Sequence, residues 1–99
     1  MRIAEPLILM VRVMPKPEIL VEASQLLHSM MKESRRDKGC ESLELICSEN
    51  DNSEWYVLER WASRELWESH ATSERNITDG KKLEQLLISP LTIHFFLKK

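Results

Sequence analysis

The stretch Trp55-Tyr56-Val57-Leu58-Glu59-Arg60-Trp61-Ala62-Ser63-Arg64-Glu65-Leu66-Trp67-Glu68-Ser69-His70 changes its hydrophobic period midway. Its first half is rich in aromatic and β-branched residues, which fit a pleated, half-buried surface, and predicts a strand. Ser63 then stands where its hydroxyl caps a helix, Glu65 falls in the first turn, and Leu66, Trp67 and His70 share one side of that short helix. Immediately upstream, residues 42–48 alternate as another strand. The polar turn Glu49-Asn50-Asp51-Asn52-Ser53 joins the two as a hairpin that feeds directly into the helix.

Working outward, residues 7–14 form an apolar run broken only by Arg12 and stopped by Pro15, too short for a typical helix and read as a buried strand. Pro17 suits a first helical turn. Beyond it Ile19, Leu20, Ala23, Leu26, Leu27, Met30 and Met31 recur at three-and-four spacing on one face of an amphipathic helix. Arg35, Arg36 and Lys38 put positive charge at the helix end, and Gly39 is the expected left-handed terminator. Residues 72–79 are polar and weakly patterned and are expected to be irregular. A short helix is expected over 81–87, ended by Pro90, and a fourth strand over 91–97. The order predicts an α+β fold, a ferredoxin-like split βαβ sandwich with a four-stranded antiparallel sheet, over residues 1–99 as one domain.

Ninety-nine residues leave little margin, since folding a chain of this size hides only roughly 65% of its accessible surface. Fourteen Lys and Arg against sixteen Asp and Glu give a formal charge of −2, with none of the basic excess that phosphate neutralisation requires, so nucleic acid is a poor partner. No apolar run is long enough to cross a bilayer, and the reading is a soluble, cytoplasmic protein with no membrane partner. Cys40 and Cys47 are seven residues apart in an extended segment, an odd offset that predicts opposite faces and no disulfide; no zinc-type Cys/His spacing occurs, so no metal is expected.

Two helices cover one face of a four-stranded sheet, yet these strands are apolar at both parities: Leu7 and Leu9 against Ile8 and Met10, Val57 and Trp61 against Tyr56 and Leu58. An uncovered face of that composition is an apolar patch of several hundred Å², on the order of what soluble monomers rarely expose. A homodimer packed through the sheet face is expected.

The motif of Glu59, Trp61, Ser63 and His70, together with Lys38-Gly39-Cys40 before the second strand, resembles the signature of the antibiotic biosynthesis monooxygenase family. That resemblance implies a dimeric α+β barrel. For enzymatic members it implies oxygenation of small, hydrophobic aromatic or quinol-like substrates by molecular oxygen without a cofactor, neither metal nor flavin. The substrate itself supplies the electron once deprotonated, so the protein must provide a dry cavity, a group to take a proton and donors for the anion. Haem-degrading relatives use an Asn on the first strand; no Asn precedes Asn50, which disfavours haem.

On this reading His70 and Trp61 are the candidate catalytic residues, and Trp67, Glu59 and Arg12 candidate substrate-binding residues, with Trp61, Trp67 and His70 walling one pocket. Each has a plainer alternative: His70 as a hydrogen-bonded structural histidine, and the tryptophans as core. Glu59 shares the parity of Val57 and Trp61, so burial of that face demands a partner, for which Arg12 is the candidate in a structural ion pair rather than acid–base chemistry. His94 is either embedded or solvent-facing at a sheet margin, and His28 is expected to be exposed. A non-catalytic dimer that binds a small hydrophobic ligand, or acts as a stress-response accessory, remains the alternative to an enzyme.

Overall fold

Strand, turn and cap signals place the elements of the computed structural model, which describes residues 5–99; Met1-Arg2-Ile3-Ala4, part of the expected 1–99 domain, lies outside the described residues. In chain order they are β1 (Leu7–Val13), a 3-10 turn (Pro17–Ile19), α1 (Leu20–Ser34), β2 (Cys40–Cys47), β3 (Trp55–Trp61), α2 (Arg64–Ala71), α3 (Glu74–Glu84) and β4 (Thr92–Phe96). The strands form one antiparallel sheet in the order β2-β3-β1-β4, the ferredoxin-like arrangement.

Directly opposed residues in an antiparallel pair share a face, so the register sorts every side chain. Glu59 stands between Leu9 and Leu43 on one face, with Trp61, Val57 and Trp55. On that face α1 lays down Ala23, Leu27 and Met31, one per turn, against Val13, Leu43, Trp55 and Val57, and α3 adds Leu83. The other face carries Met10 beside Leu58 and His94, and Ile8 beside Arg60 and Phe96.

Three local expectations are corrected. Residues 72–79 are not irregular: most of them belong to α3, which is held by its ends rather than by an apolar stripe. Ser73 accepts from the Asn76 N–H, Glu74 lies in the first turn, Lys81 and Lys82 lie in the last, and Leu83 is the only buried residue. The helix expected over 81–87 accordingly stops at Glu84; Leu87 instead pairs with Pro15, and the Ile88 N–H donates to the Met14 carbonyl at 2.9 Å.

Gly39 does adopt the left-handed region, at φ 90°, but α1 has already ended at Ser34. What Gly39 provides is a close approach. A Cβ there would lie 2.6 Å from the Leu66 side chain of α2, and the Ala62 N–H donates to the Gly39 carbonyl at 2.7 Å.

The cysteines, third, share a face. A register shift between Cys40 and Ser42 places Cys40 opposite Trp61 and Cys47 opposite Trp55, so the extra residue of a β-bulge cancels the odd offset. Both remain free, and seven residues of extended chain separate them by about 20 Å, far beyond disulfide reach.

The two glycines are expected to respond to alanine with opposite signs. Gly39→Ala meets Leu66 and a strained φ and lowers unfolding stability by about 2 kcal/mol. Gly80→Ala, inside α3 with no atom within 4 Å of the new Cβ, raises it by about 0.5 kcal/mol. Urea denaturation of the two variants measures both.

Candidate functional site

Residues two apart on a strand face the same way, so the Glu-x-Trp end of β3 sends both side chains under the helices. Trp61 is fully buried, packed with Leu7 and Leu9. Its indole Nε1–H donates to Glu59 Oε1 at 2.8 Å. Glu59 is itself only 8% exposed, and the residues directly opposite it, Leu9 and Leu43, carry no charge. Burial therefore pushes the Glu59 carboxyl above the ordinary glutamate value, while the Trp61 hydrogen bond and the charge of His70 oppose that rise.

His70 is brought to Trp61 by α2, which starts where the Ser63 side chain accepts from the Leu66 N–H at 3.2 Å. The imidazole lies against the indole of Trp61, ring centres 4.6 Å apart and planes tilted by 32°. Its Nδ1 bonds Asp37 Oδ2 at 2.8 Å. Arg75 of α3 grips the same carboxylate with both terminal nitrogens, at 3.1 and 2.7 Å. The Arg75 bond holds the Asp37 carboxyl below its usual range; burial opposes this and the His70 bond adds to it. An ionised Asp37 can only accept, so Nδ1 carries the proton of that hydrogen bond.

Beside this chain of contacts lies a cavity of ≈ 140 Å³ between the covered sheet face, α1, α2 and α3. Val11, Leu27, Met31 and Leu83 are among its apolar walls, Gly80 leaves one wall without a side chain, and Ser34, Asn76 and Trp67 supply polar hydrogens. Glu59 is the only ionisable residue in the lining. The pocket differs from the expected one in its walls. Trp67 borders it, with its ring edge-on to Phe95 at 5.1 Å, but Trp61 and His70 stand behind Glu59. Trp61 is drawn into the Leu7–Leu9 cluster, and His70 is turned toward Asp37.

Arg12 is not brought to this site. It stands opposite Tyr56 and Thr92 on the other sheet face, so the expected ion pair with Glu59 is not formed within the chain. The partner is the indole of Trp61, and the Nε of Arg12 is buried without a hydrogen-bond partner among the described residues. His94 is exposed on that same open face, and His28 is exposed, bonding the Ser24 carbonyl at 2.8 Å. Asp37 and Arg75 escaped the sequence reading. Asp37 sits in a turn among basic residues and Arg75 in a stretch without apolar pattern, so only the fold brings them together. No group of three potential metal ligands occurs among the described residues, and no helix there is long and apolar enough to cross a membrane.

Residues 6–75 match the family model described as antibiotic biosynthesis monooxygenase. The chain is 28% identical over 88 residues to "Putative monooxygenase Rv0793" of Mycobacterium tuberculosis, covering 89% of this chain and 86% of that protein. The solved structure of Rv0793 superposes with a TM-score of 0.87 at 25% identity, covering 96% of each chain. A conserved protein of Methanosarcina mazei superposes with a TM-score of 0.89 at 20% identity, covering 95% of this chain and 93% of that one. At that identity the likeness speaks for the fold alone.

Two substitutions probe the electrostatics of the site. Glu59→Gln keeps an acceptor for Trp61 and removes a buried charge. A carboxyl whose native value is raised costs stability once the pH passes the unfolded value, and the full cost is present above the native one. The variant is therefore expected to be more stable than the native chain by about 1 kcal/mol at neutral pH and to lose that advantage in acid. Asp37 has the opposite sign: its lowered value contributes stability above the unfolded pKa, and that contribution is lost as pH falls through the native one. Asp37→Asn is expected to remove about 0.5 kcal/mol at neutral pH, for a partly exposed pair. Denaturant midpoints measured across pH test both.

Proposed function

The chain belongs to the antibiotic biosynthesis monooxygenase family, and from that membership together with the site we propose that it is a cofactor-independent monooxygenase acting with molecular oxygen on a small aromatic or quinol-like substrate. One observation carries the reading: an apolar cavity with a single buried carboxyl group in its wall. Oxygenation of this kind draws its electrons from the substrate after a proton leaves, and it requires that water be kept from the reacting intermediate. The lining is mostly apolar, so a ligand seated against it would displace water from the reacting atoms, and Ser34, Asn76 and Trp67 offer hydrogens to an oxyanion. Trp61 and His70, the residues first expected to react, act from behind the wall: one holds Glu59 by a hydrogen bond, the other bears on it electrostatically.

The functional unit on this reading is a homodimer joined through the open sheet face. Support comes from the partly buried Ile8, Met10 and Leu58 and the exposed Ile46 and Phe96 of that face. The two free cysteines fit a reducing cytoplasm.

Oxygen consumption measured with hydroquinones and anthrone-type compounds, in chelator and without added flavin, is the direct test. The native chain is expected to consume oxygen in proportion to substrate. Gly80→Leu, which puts a side chain into open space at the cavity wall, is expected to stop it while the circular dichroism stays unchanged. Binding without any oxygen uptake across the panel would instead identify a non-catalytic ligand-binding protein. A monomer in native mass spectrometry at micromolar concentration would remove the dimer.

A further inference from the structure

We propose that Glu59 is the residue that selects and deprotonates the substrate, and that the cavity takes a neutral, single-ring phenol or hydroquinone whose hydroxyl donates to Glu59 Oε2. This deepens the monooxygenase reading and rests on it.

The two oxygens of Glu59 are not equivalent. Oε1 is taken by the indole of Trp61, whereas Oε2 has no hydrogen-bond partner among the described residues, on a side chain more than nine-tenths buried in the cavity wall. A ligand without a donor would strip water from that oxygen and give nothing back, a loss larger for a charged acceptor than for a neutral one. A hydroxyl hydrogen satisfies it. The lining holds no Lys, Arg or His, so a carboxylate or phosphate ligand would meet a second negative charge at low dielectric with no cation to offset it. Charge thus excludes anions, and the unsatisfied Oε2 requires a donor.

Size narrows the class further. At ≈ 140 Å³ the cavity is close to the apolar void of about 150 Å³ known to enclose benzene, so one ring fills it and a three-ring molecule would protrude.

The proton step balances without a change in net charge. The substrate O–H bond breaks, the proton binds Glu59 Oε2, and the negative charge passes to the phenolate oxygen beside the donors of the wall. Dioxygen is the oxidant. One of its atoms enters the ring and the other leaves as water, which carries off two hydrogens of the substrate. Burial, by raising the proton affinity of Glu59, brings it nearer to that of a phenol.

Calorimetric titration of the full chain with hydroquinone, 1,4-dimethoxybenzene and benzoate reads the selection without any turnover. Hydroquinone is expected to bind about tenfold more tightly than its dimethyl ether, and benzoate not measurably. In Glu59→Gln, expected above to fold at least as well as the native chain, the preference for hydroquinone over its dimethyl ether should shrink. Where oxygen uptake is present, the same variant should lose about 100-fold in kcat, with KM rising by no more than the roughly tenfold that the hydroxyl contact contributes. His70→Ala, which removes a charge that lowers the Glu59 pKa, should move the acid limb of the kcat profile to higher pH. Unchanged ligand preference in Glu59→Gln would overturn the proposal. Glu59-dependent selection by a chain that consumes no oxygen would support the ligand class while defeating the oxygenase reading, so the two fail separately.

Discussion

A carboxyl group buried between a sheet and its helices must be given a donor, and here that donor is an indole rather than a cation. The hydrogen bond from Trp61 to Glu59 sets conditions on everything around it. The indole must keep its orientation, so one side of it is packed by Leu7 and Leu9 of β1 and the ring of His70 lies against it. His70 in turn is fixed by Asp37, and Asp37 by the two-pronged grip of Arg75. The sequence of contacts therefore runs from β3 through α2 and the turn after α1 to α3. It ties together four segments that share few apolar contacts near this end of the molecule.

The backbone is shaped to the same purpose. Gly39 allows the turn after α1 to lie against Leu66 more closely than any side chain permits, which brings Asp37 to His70 on α2. Buried charge of this kind is rarely the most stable solution, because an apolar residue of similar volume avoids the desolvation altogether. The carboxyl retained there, one oxygen bonded by Trp61 and the residue lining a cavity, costs stability that an apolar side chain would not.

Much of this fold was legible in the sequence because it depends on local signals. The strand and helix halves of residues 55–70, the Ser63 cap and the two-faced first strand all depend on period and capping chemistry, which one chain displays. Only the last turn of α3, from Lys81, was legible; the rest is stabilised at its N-terminus and buries no residue, so periodicity had nothing to register. The cysteine faces were misjudged for a related reason: one bulged residue inverts every parity argument across it. Within the site, parity correctly put Glu59 and Trp61 on one face, but the search for a charged partner looked across to Arg12, on the far side of the sheet. The indole two residues away was the simpler donor. The Asp37–Arg75 pair joins residues far apart in sequence, and no local pattern announces it.

The cavity itself calls for a physical reason in so short a chain. An unfilled space of ≈ 140 Å³ against the core forgoes packing contacts that a filled site would make. A leucine or methionine at Gly80 would occupy part of it at no cost in helix propensity, and α3 could hold either. The glycine instead leaves open the space that the sheet, α1 and Trp67 surround, with Glu59 in its wall. A void, a helix glycine and a buried carboxyl each weaken the fold when taken singly. All three border one cavity, with Trp61 holding the carboxyl in place, and the proposed ligand would offset them together by filling the space and donating to the carboxyl.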